Sequence, residues 1–362
     1  MGGIDKDDGV YVFDEISSRI DDSTVDVAKR GPTMADVARV AGVSAQTVSR
    51  VANGESGVRA KTRERVVEAM RHIGYRPNGA ARALKRGRFN SVGIITFTLS
   101  SYGNIRTVDS LSSALMRRGF SVNLIVAPDR TEQSISGAFN RLADEAVDAI
   151  ILLFEAGLID SAQAEFPPGL PVLIIGSTGH ELKLPTVDVD QEQGATLATE
   201  HLVQLGHRNI WHVRGPKTEF AASRREDAWR AVMLANGLDD RRIIPGDWTA
   251  KSGYAAGRLL ANRDDVTAVF TANDSMALGL IRALRENGKD VPGDVSIVGF
   301  DNIADSEYLW PPLTTIDQDF SIVGDVAASM VLSAVANGDL VPRQEVVSTQ
   351  LIVRQSTTVP KI

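Results

Sequence analysis

Three residues in the N-terminal part of the chain have side chains suited to reading the bases of a DNA duplex. Arg50 can form a bidentate hydrogen bond with guanine, Gln46 can pair with adenine, and Ala45 is small enough to contact a thymine methyl group. Short hydroxyl and amide side chains lie around them and suit phosphate or base contacts; they are Ser44, Thr47, Ser49 and Asn53. A solvated surface role is the alternative for each of these residues.

A second set of polar residues follows strand-like segments and could bind a ligand rich in hydroxyl groups. Asn273, Asp301 and Arg225 offer an amide, a carboxylate and a guanidinium, which can bind vicinal hydroxyls if they converge in one cleft. Trp248 adds a flat apolar face of the kind that stacks on a sugar ring. The alternatives are an Asx turn at Asp301, an ion pair of Arg225 with an acidic neighbour, and core packing of Trp248. Asp274 is expected to cap the helix that follows it.

The candidate base-reading residues lie in a segment whose pattern predicts a helix-turn-helix domain at residues 32–77. Thr33 can cap a first helix, Gly42 can end it in the left-handed conformation, and Ser44 can cap a second helix. The valines of the second helix recur at helical spacing and face inward, which leaves the base-reading side chains pointing outward. A third amphipathic helix is predicted for residues 60–73 and completes a small core.

Charge is distributed unevenly along the chain. The formal net charge is −7, which by itself argues against nucleic acid as a partner. Residues 32–88, however, carry twelve Lys or Arg side chains against four Asp or Glu, a local charge of +8, whereas residues 1–31 sum to −4. A basic module therefore precedes a large acidic body, and the module is where a polyanion would bind.

Short aliphatic strands alternate with helical patterns from residue 91 onward. The first set comprises residues 92–95, 122–126, 149–153 and 172–176, and the second comprises 209–213, 268–271 and 295–299. This alternation predicts two α/β lobes with parallel sheets flanked by helices. Ligands of such folds bind beyond the carboxyl ends of the strands, which is where the second set of polar residues lies.

Several classes of protein are disfavoured by what the sequence lacks. There is no cysteine, hence no disulfide framework or thiolate metal site, and no dinucleotide, phosphate-loop, GxSxG or HExxH motif supports an enzyme or a cofactor. His201, His207 and His212 do not share a helical face, which favours helix-end or surface roles over a metal site. The apolar runs look strand-sized and no secretory signal is evident, so we expect a cytoplasmic protein without membrane spans.

These residues also occur in the order and spacing of a known family. The N-terminal module strongly resembles the DNA-binding head of the lactose-repressor (LacI/GalR) family at residues 36–38, 42–44, 47–51, 53, 62–63, 74–75, 77–78 and 84. The resemblance continues through the body at residues 204–208, 273–279, 295–301 and 312–316. It covers most of the chain after residue 31. A series of matches in the same order is far more specific than one short motif.

The resemblance implies further DNA contacts outside the recognition helix. Within the hinge and linker at 78–88, residues 78–85 match the hinge helix that folds on the operator, and Leu84 matches the leucine that wedges into the minor groove and bends the duplex. Its alternative is a packed linker residue. Small alanines beside it suit a close approach to the groove and to a twin hinge. The predicted DNA-contacting set is thereby completed by Thr33, Asn78, Ala81 and Leu84.

The resemblance also implies an effector cleft between the lobes. In sugar-responsive members the cleft is lined by residues that match Arg225, Trp248, Asn273, Asp301, Gln318 and Phe320. Gly176 is a departure, because the lactose repressor itself has an acidic side chain at that position, which puts recognition by the first lobe in doubt. Phe97 and Tyr102, after the first strand, are candidates for an aromatic wall there, with core or interface packing as the alternative.

The sequence therefore predicts four segments: an acidic, flexible extension at 1–31, a helix-turn-helix domain at 32–77, a hinge at 78–88, and a two-lobed effector-binding and dimerisation domain at 89–362. We expect a transcriptional repressor that binds a pseudo-palindromic operator as a homodimer and is controlled by a sugar effector. A homodimer is expected because residues 353–362 lack the leucine heptads of tetrameric members. The alternative is a two-lobed sugar-binding transport protein, which should have an export signal and no basic head.

Overall fold

The computed structural model separates into two compact units, Met1–Phe89 and Asn90–Ile362. The residues that the structure describes are 31–76, 87–129, 131–153, 169–176, 184–338 and 341–361. The expectations for the acidic extension and for Asn78, Ala81 and Leu84 lie outside the described residues. The first unit is called the head below, and the second the core.

The head contains three helices within residues 31–76: α1 (Met34–Ala41), α2 (Ala45–Ala52) and α3 (Ala60–His72). Thr33 and Asp36 form a capping box at the start of α1, and Gly42 ends that helix at φ +61°. Ser44 caps α2 by accepting a hydrogen bond from the backbone N–H of Thr47. The helices enclose a small core whose fully buried members are Val37, Val48, Val66 and Ala69. These local features give the helix-turn-helix that the sequence predicts.

The first lobe of the core is built on a parallel sheet. Its strands are β1 (Ser91–Thr96), β2 (Ser121–Val126), β3 (Ala149–Leu153), β4 (Val172–Ile175), β5 (Thr186–Val189) and β11 (Gln344–Val347), and its helices are α4 (Tyr102–Arg117), α5 (Glu132–Asp144) and α10 (Phe320–Asn337). Within the described residues the strand order is β11-β5-β4-β3-β1-β2, and every neighbouring pair is parallel. Strand β3 is buried at every position, as expected for a sheet covered by helices on both faces.

The second lobe repeats this plan with a smaller parallel sheet. Its strands are β6 (Ile210–Arg214), β7 (Ile243–Pro245), β8 (Ala268–Thr271) and β9 (Ser296–Val298), and its helices are α6 (Gln191–Gln204), α7 (Phe220–Ala235), α8 (Ala250–Ala261) and α9 (Asp274–Glu286). The order in the described residues is β7-β6-β8-β9. A separate antiparallel pair, β10 (Thr315–Asp317) with β12 (Gln350–Ile352), packs beside α6.

The described chain passes between the lobes at three places, which lie side by side. The crossings run from β5 into α6, from β10 into α10, and from β11 into β12. Hydrogen bonds tie the first crossing to the third: the N–H of Asp190 donates to the carbonyl of Val347 at 2.9 Å, and the N–H of Thr349 donates to Oε1 of Gln193 at 2.7 Å. The lobes are therefore joined by one bundle of connections along one edge of the cleft.

Helix α10 is long and predominantly apolar. Its 18 residues have a mean hydropathy of 1.5, which by length and composition would suit a membrane span. Val323, Ala327 and Val331, however, are buried in the first-lobe core between α4 and the sheet. The expectation that apolar stretches are strand-sized overlooked this helix, which serves as a core helix of the fold.

Helices α8 and α9 pack unusually closely, because glycine stands at their contact. A Cβ built on Gly279 would fall against the backbone carbonyl oxygen of Ala250, and one on Gly253 would fall against the carbonyl of Met276. Backbone atoms cannot move aside as a flexible side chain can. The absence of a side chain at these positions therefore sets the distance between the two helices.

We expect Gly279→Ala to lower the free energy of unfolding of the core by about 1–3 kcal/mol or more, because the methyl group must push the helices apart. Gly137→Ala is the matched control, since Gly137 also lies inside a helix but has open space around its Cβ position. That change should raise the free energy of unfolding by about 0.5–1 kcal/mol. Urea unfolding followed by circular dichroism measures both, and equal midpoints for the two variants would contradict the packing argument.

Candidate functional site

The outer face of α2 presents the residues predicted to read DNA bases. Ala45, Gln46 and Arg50 are exposed, whereas Val48 and Val51 on the opposite face are buried in the head. Gln46 and Arg50 are four residues apart and therefore share one helical face. The Arg50 side chain is 52% exposed, and Nε lies 4.0 Å from a carboxylate oxygen of Glu55. That separation is at the limit of an ion pair, so the guanidinium is only weakly paired and can bind another partner.

Several predicted phosphate contacts already have structural roles in the head. The Thr33 hydroxyl takes part in the capping box of α1, and the Ser44 hydroxyl caps α2 and lies 3.0 Å from the Thr47 hydroxyl. Asn53 donates from Nδ2 to the Ser49 hydroxyl at 3.4 Å. These bonds fix the starts of α1 and α2 and the end of α2, and the hydroxyl groups keep lone pairs for further donors.

A cavity of about 610 Å³ lies between the two lobes of the core. All eight residues predicted to contact an effector line it: Arg225, Trp248, Asn273, Asp301, Gln318, Phe320, Phe97 and Tyr102. They come from both lobes and from a crossing segment, and the cavity is in the size range of small-molecule sites. The fold therefore brings to one place residues that the sequence pattern and, for Gln318 and Phe320, the family resemblance had indicated.

Arg225 is buried in the floor of this cavity. Its Nε donates to Oε1 of Gln191 at 2.7 Å, and its Nη1 donates to the backbone carbonyl of Ala272. The guanidinium carbon lies 3.6 Å from the ring centroid of Phe300. The acidic neighbour Glu226, which was the alternative partner from the sequence, pairs with Arg230 at 3.0 Å. Arg225 is thus oriented by the floor of the cleft rather than by its own helix.

Asp301 is the buried carboxyl group of the site. Its Oδ1 accepts a hydrogen bond of 2.6 Å from Nε2 of Gln318 and lies 3.8 Å from Nη1 of Arg225. Burial raises the pKa of this carboxyl to about 7, with a smaller contribution from the nearby charge of Asp274, while Arg225 and Gln318 act in the opposite direction. Its backbone has φ +110°, a conformation that side chains rarely adopt. The carboxyl group can bind hydroxyl donors when it is ionised.

The sequence assigned the cap of α9 to the wrong residue. Asn273, not Asp274, is the N-cap: its Oδ1 accepts from the N–H of Met276 at 2.9 Å, and its Nδ2 donates to the carbonyl of Trp248 at 3.1 Å. Asp274 is fully buried and accepts hydrogen bonds from the hydroxyls of Ser306 and Thr315. Asp and Asn are equally good caps, so their order in the sequence does not decide the role. Asn273 therefore shapes the cavity while part of its amide remains available.

Trp248 forms one wall of the cavity on the second lobe. Its ring lies close to Gly215, where a Cβ would overlap it, and its backbone has φ +71°. The indole Nε1 donates to Oε2 of Glu219 at 2.8 Å, which fixes the ring plane. The ring is partly buried against the second-lobe core, yet it also lines the cavity. Core packing and ligand stacking are thus compatible for this residue.

Aromatic residues also line the first-lobe wall. Tyr102 and Phe320 meet edge to face, with ring centroids 6.1 Å apart. Phe97 lines the cavity as well and packs against the first-lobe core, so it also fits the core role that the sequence left open. Aromatic surfaces therefore stand on both sides of the cavity.

Sequence reasoning missed several polar groups in the lining. Asp188, Glu219, Gln191 and Asn104 all line the cavity. Asp188 and Gln191 flank the crossing from β5 into α6, and β5 is too short to show a clear period in the sequence. The alternation of Val187, Asp188 and Val189 is the feature that could have revealed it.

Histidines play structural roles in the second lobe. His207 is 1% exposed and bonds to the hydroxyls of Thr267 and Ser296, while His212 is fully buried and stacks on Phe270. The expected helix-end role is confirmed for His207, whose N–H donates to the carbonyl of Leu202 at 3.1 Å where α6 ends, and is wrong for His212, which lies in β6. Burial lowers the pKa of His212 to about 3, which keeps it neutral. In the described part of the chain, no group of three His, Asp or Glu side chains is placed to hold a metal ion.

Comparison with known proteins gives matches to both units. Residues 33–78 match the model for bacterial regulatory proteins of the lacI family, and residues 199–357 match a periplasmic binding protein-like domain. The lactose operon repressor of Escherichia coli (strain K12) is 33% identical over 330 residues, 91% of each chain. The solved lac repressor dimer bound to operator and the anti-inducer ONPF has a TM-score of 0.81 at 32% identity, covering 90% of this chain and 99% of that chain. The transcriptional regulator CelR–cellobiose complex has a TM-score of 0.65 at 32% identity and the same coverage.

A helix-turn-helix head followed in sequence by a two-lobed core with a ligand-sized cleft defines a DNA-binding regulator of transcription. The chain belongs to the lacI family of bacterial regulatory proteins. The match of the head rules against the alternative of a transport-type binding protein without a DNA-binding role. The relatives compared are regulators of transcription rather than enzymes.

We expect Asp301 to titrate near pH 7 rather than near pH 4, because its burial favours the protonated form. Between these values the folded protein keeps a proton that the unfolded chain has released, so the free energy of unfolding falls as pH rises through this window. Difference infrared spectroscopy of the carboxyl band, wild type minus Asp301→Asn, measures the pKa. Gln318→Leu should raise it further, since a bond to the ionised form is lost. A titration complete below pH 5 would contradict the assignment.

Proposed function

We propose that this regulator is a repressor whose operator binding is controlled by a sugar held in the cleft of the core. The observation that carries the proposal is the convergence of Asp301, Asn273 and Arg225 beside the Trp248 ring in one cavity. In its ionised form the Asp301 carboxylate only accepts hydrogen bonds, and paired hydroxyl donors stabilise that form. The carboxyl group therefore favours a polyol over a purine, which stacking alone would also suit. CelR, a relative of similar fold, has been solved with cellobiose.

Control of the operator requires that the effector binds two conformations of the core unequally. The cavity lining comes from both lobes, so a bound ligand changes the free energy of closing one lobe on the other. Across a homodimer, such closure would alter the spacing of two heads. The lac repressor, at 32% identity, has been solved as a dimer on its operator. A dimer with two-fold symmetry reads inverted half-sites, hence a pseudo-palindromic operator.

On the operator, Arg50, Gln46 and Ala45 would contact base edges, because they form the exposed face of α2. Further contacts with phosphates or bases would come from Ser44, Thr47, Ser49 and Asn53, and Thr33 would also contact the DNA. Asn78, Ala81 and Leu84 would act in the hinge segment, at the minor groove. A cytoplasmic regulator without catalytic activity fits this assignment, since both DNA and free sugars are present in the cytoplasm.

We expect Arg50→Ala to weaken operator binding by about 1–3 kcal/mol and to relax the preference at one base pair in each half-site. The operator is obtained by selection from random duplexes, and affinities are measured by fluorescence anisotropy at fixed salt. Arg141→Ala is the matched control, because this exposed arginine lies in the core on α5. Unchanged sequence preference in Arg50→Ala would refute the role of Arg50.

We expect Asp301→Asn to weaken effector binding by about 1–3 kcal/mol while leaving operator affinity without effector near that of the wild type. Affinity for the effector falls because the amide nitrogen of asparagine, a hydrogen-bond donor, replaces a carboxylate oxygen that accepts from a hydroxyl group of the sugar. Titration of the operator complex with candidate sugars measures both quantities, and Asp305→Asn serves as an exposed carboxyl control. A nucleobase that acts where every sugar fails would overturn the sugar assignment.

A further inference from the structure

One acidic residue of the head lies beside the predicted base-reading arginine. The carboxylate oxygen Oε2 of Glu55 is 4.0 Å from Nε of Arg50, and about half of each side chain is exposed. Residues 32–88 carry twelve basic side chains against four acidic ones. A negative charge next to the recognition helix repels the phosphates of a DNA duplex and so lowers the affinity for DNA of any sequence. A benefit of Glu55 to DNA recognition therefore has to come from its effect on Arg50.

The backbone holds Glu55 in this position. Helix α2 ends in a Schellman motif, in which Gly54 has φ +69° and donates from its N–H to the carbonyl of Val51 at 3.1 Å. In the same motif the N–H of Glu55 donates to the carbonyl of Arg50 at 3.0 Å. Nη2 of Arg63, on α3, donates to the carbonyl of Glu55 at 2.7 Å. Glu55 is thus tied to two helices, one of which carries the side chain that it faces.

The other acidic residues of the head are placed differently. Asp36 is buried in the capping box of α1, Glu68 lies 3.5 Å from the arginine one turn further along α3, and Glu64 is exposed on α3. Ion pairs between residues one turn apart are common on helix surfaces. The pair of Glu55 with Arg50 instead spans the end of α2, so it follows from the path of the chain after the recognition helix.

The position of the carboxylate at Nε determines which donors of Arg50 remain for DNA. The two Nη groups form the fork that can meet O6 and N7 of guanine, and a carboxylate at Nε leaves both of them available. A phosphate that approached the guanidinium would also approach the negative charge of Glu55. Guanine carries no net charge and is not repelled in this way. Glu55 therefore favours a base over the phosphate backbone as the partner of Arg50.

We propose that Glu55 is a positioning residue for Arg50, which directs the guanidinium to the base edge and makes it a poor phosphate ligand. This rests on the proposed function, since it assumes that Arg50 reads a base. Glu55 then lowers the affinity of the head for DNA in general and raises its preference for the operator.

The test measures binding of the full-length protein to its selected operator, to operator variants and to an unrelated duplex, by fluorescence anisotropy over a range of salt concentrations. The base pair read by Arg50 is the one at which Arg50→Ala loses its preference. Glu55→Gln removes the charge but leaves the backbone bonds of Glu55 in place, so the head stays folded. It should lower the preference at that base pair about 3-fold, as expected for the loss of an exposed ion pair.

Binding to the unrelated duplex should change in the opposite direction. Glu55→Gln should strengthen it about 2-fold or more, and its dependence on salt should steepen by about one phosphate contact, because Arg50 can then bind the backbone. Glu64→Gln is the matched control, since it removes the same charge from an exposed position on α3. It should leave the base preference and the salt dependence as in the wild type.

A double variant shows whether Glu55 acts through Arg50. In protein that already carries Arg50→Ala, Glu55→Gln should change neither the base preference nor the salt dependence. A loss of preference as large as in the single variant would overturn the proposal. So would a Glu55→Gln protein that binds every duplex more tightly by the same factor, since repulsion alone would then explain Glu55. If Arg50→Ala keeps the wild-type preference at every base pair, it is the proposed base-reading role of Arg50 that fails.

Discussion

The geometry of the core depends on one buried cation, the guanidinium of Arg225. A charge in this position is costly unless its donors are satisfied, and its partners come from separate parts of the fold. Gln191 stands at the start of α6, Gln318 lies in the next crossing between the lobes, and the Ala272 carbonyl follows β8. Gln191 also donates to Gln318 at 3.4 Å. The floor of the cleft and the connections between the lobes are thus parts of one hydrogen-bonded network.

This network explains why a ligand in the cleft would be felt at the lobe connections. Asp301 accepts from Gln318, the same side chain that meets Arg225 and Gln191. A ligand that recruits the Asp301 carboxyl group competes with Gln318 for it, and a change at Gln318 acts on the segment between β10 and α10. Coupling of this kind needs no long pathway, since the binding groups and the connecting segments touch. Differential affinity for two lobe arrangements then follows from which hydrogen bonds each arrangement keeps.

Local features of the fold could be predicted from the sequence, and non-local ones could not. Thr33, Gly42 and Ser44 define the ends of the head helices because capping involves residues within one turn. Strand β11, by contrast, pairs with β5 although Gln344 and Thr186 are far apart in the chain, and both strands have four residues. So short a segment shows no reliable period, and its partner is chosen by tertiary packing.

The same division applies to the candidate site. Arg225 and Asp301 could be singled out because charged side chains after buried strands are unusual and the resemblance supported them. Asp188 could not, because its strand β5 has only four residues and shows no clear period in the sequence. The helix cap was assigned to Asp274 instead of Asn273 because both residue types satisfy a helix start equally well. Only the fold shows which of the two faces Ser306 and Thr315.

The late position of α10 and β11 in the chain has a consequence for synthesis on the ribosome. The strands from β1 to β5 emerge first, but the helix and strand that complete their apolar face follow only at residues 320–347. At about 5–20 residues per second, the growing first lobe waits roughly 10–30 s after β5 is made before β11 exists. During that time the apolar surface of the first lobe is open to other nascent chains. The three crossings that join the finished lobes thus also delay the folding of the first lobe.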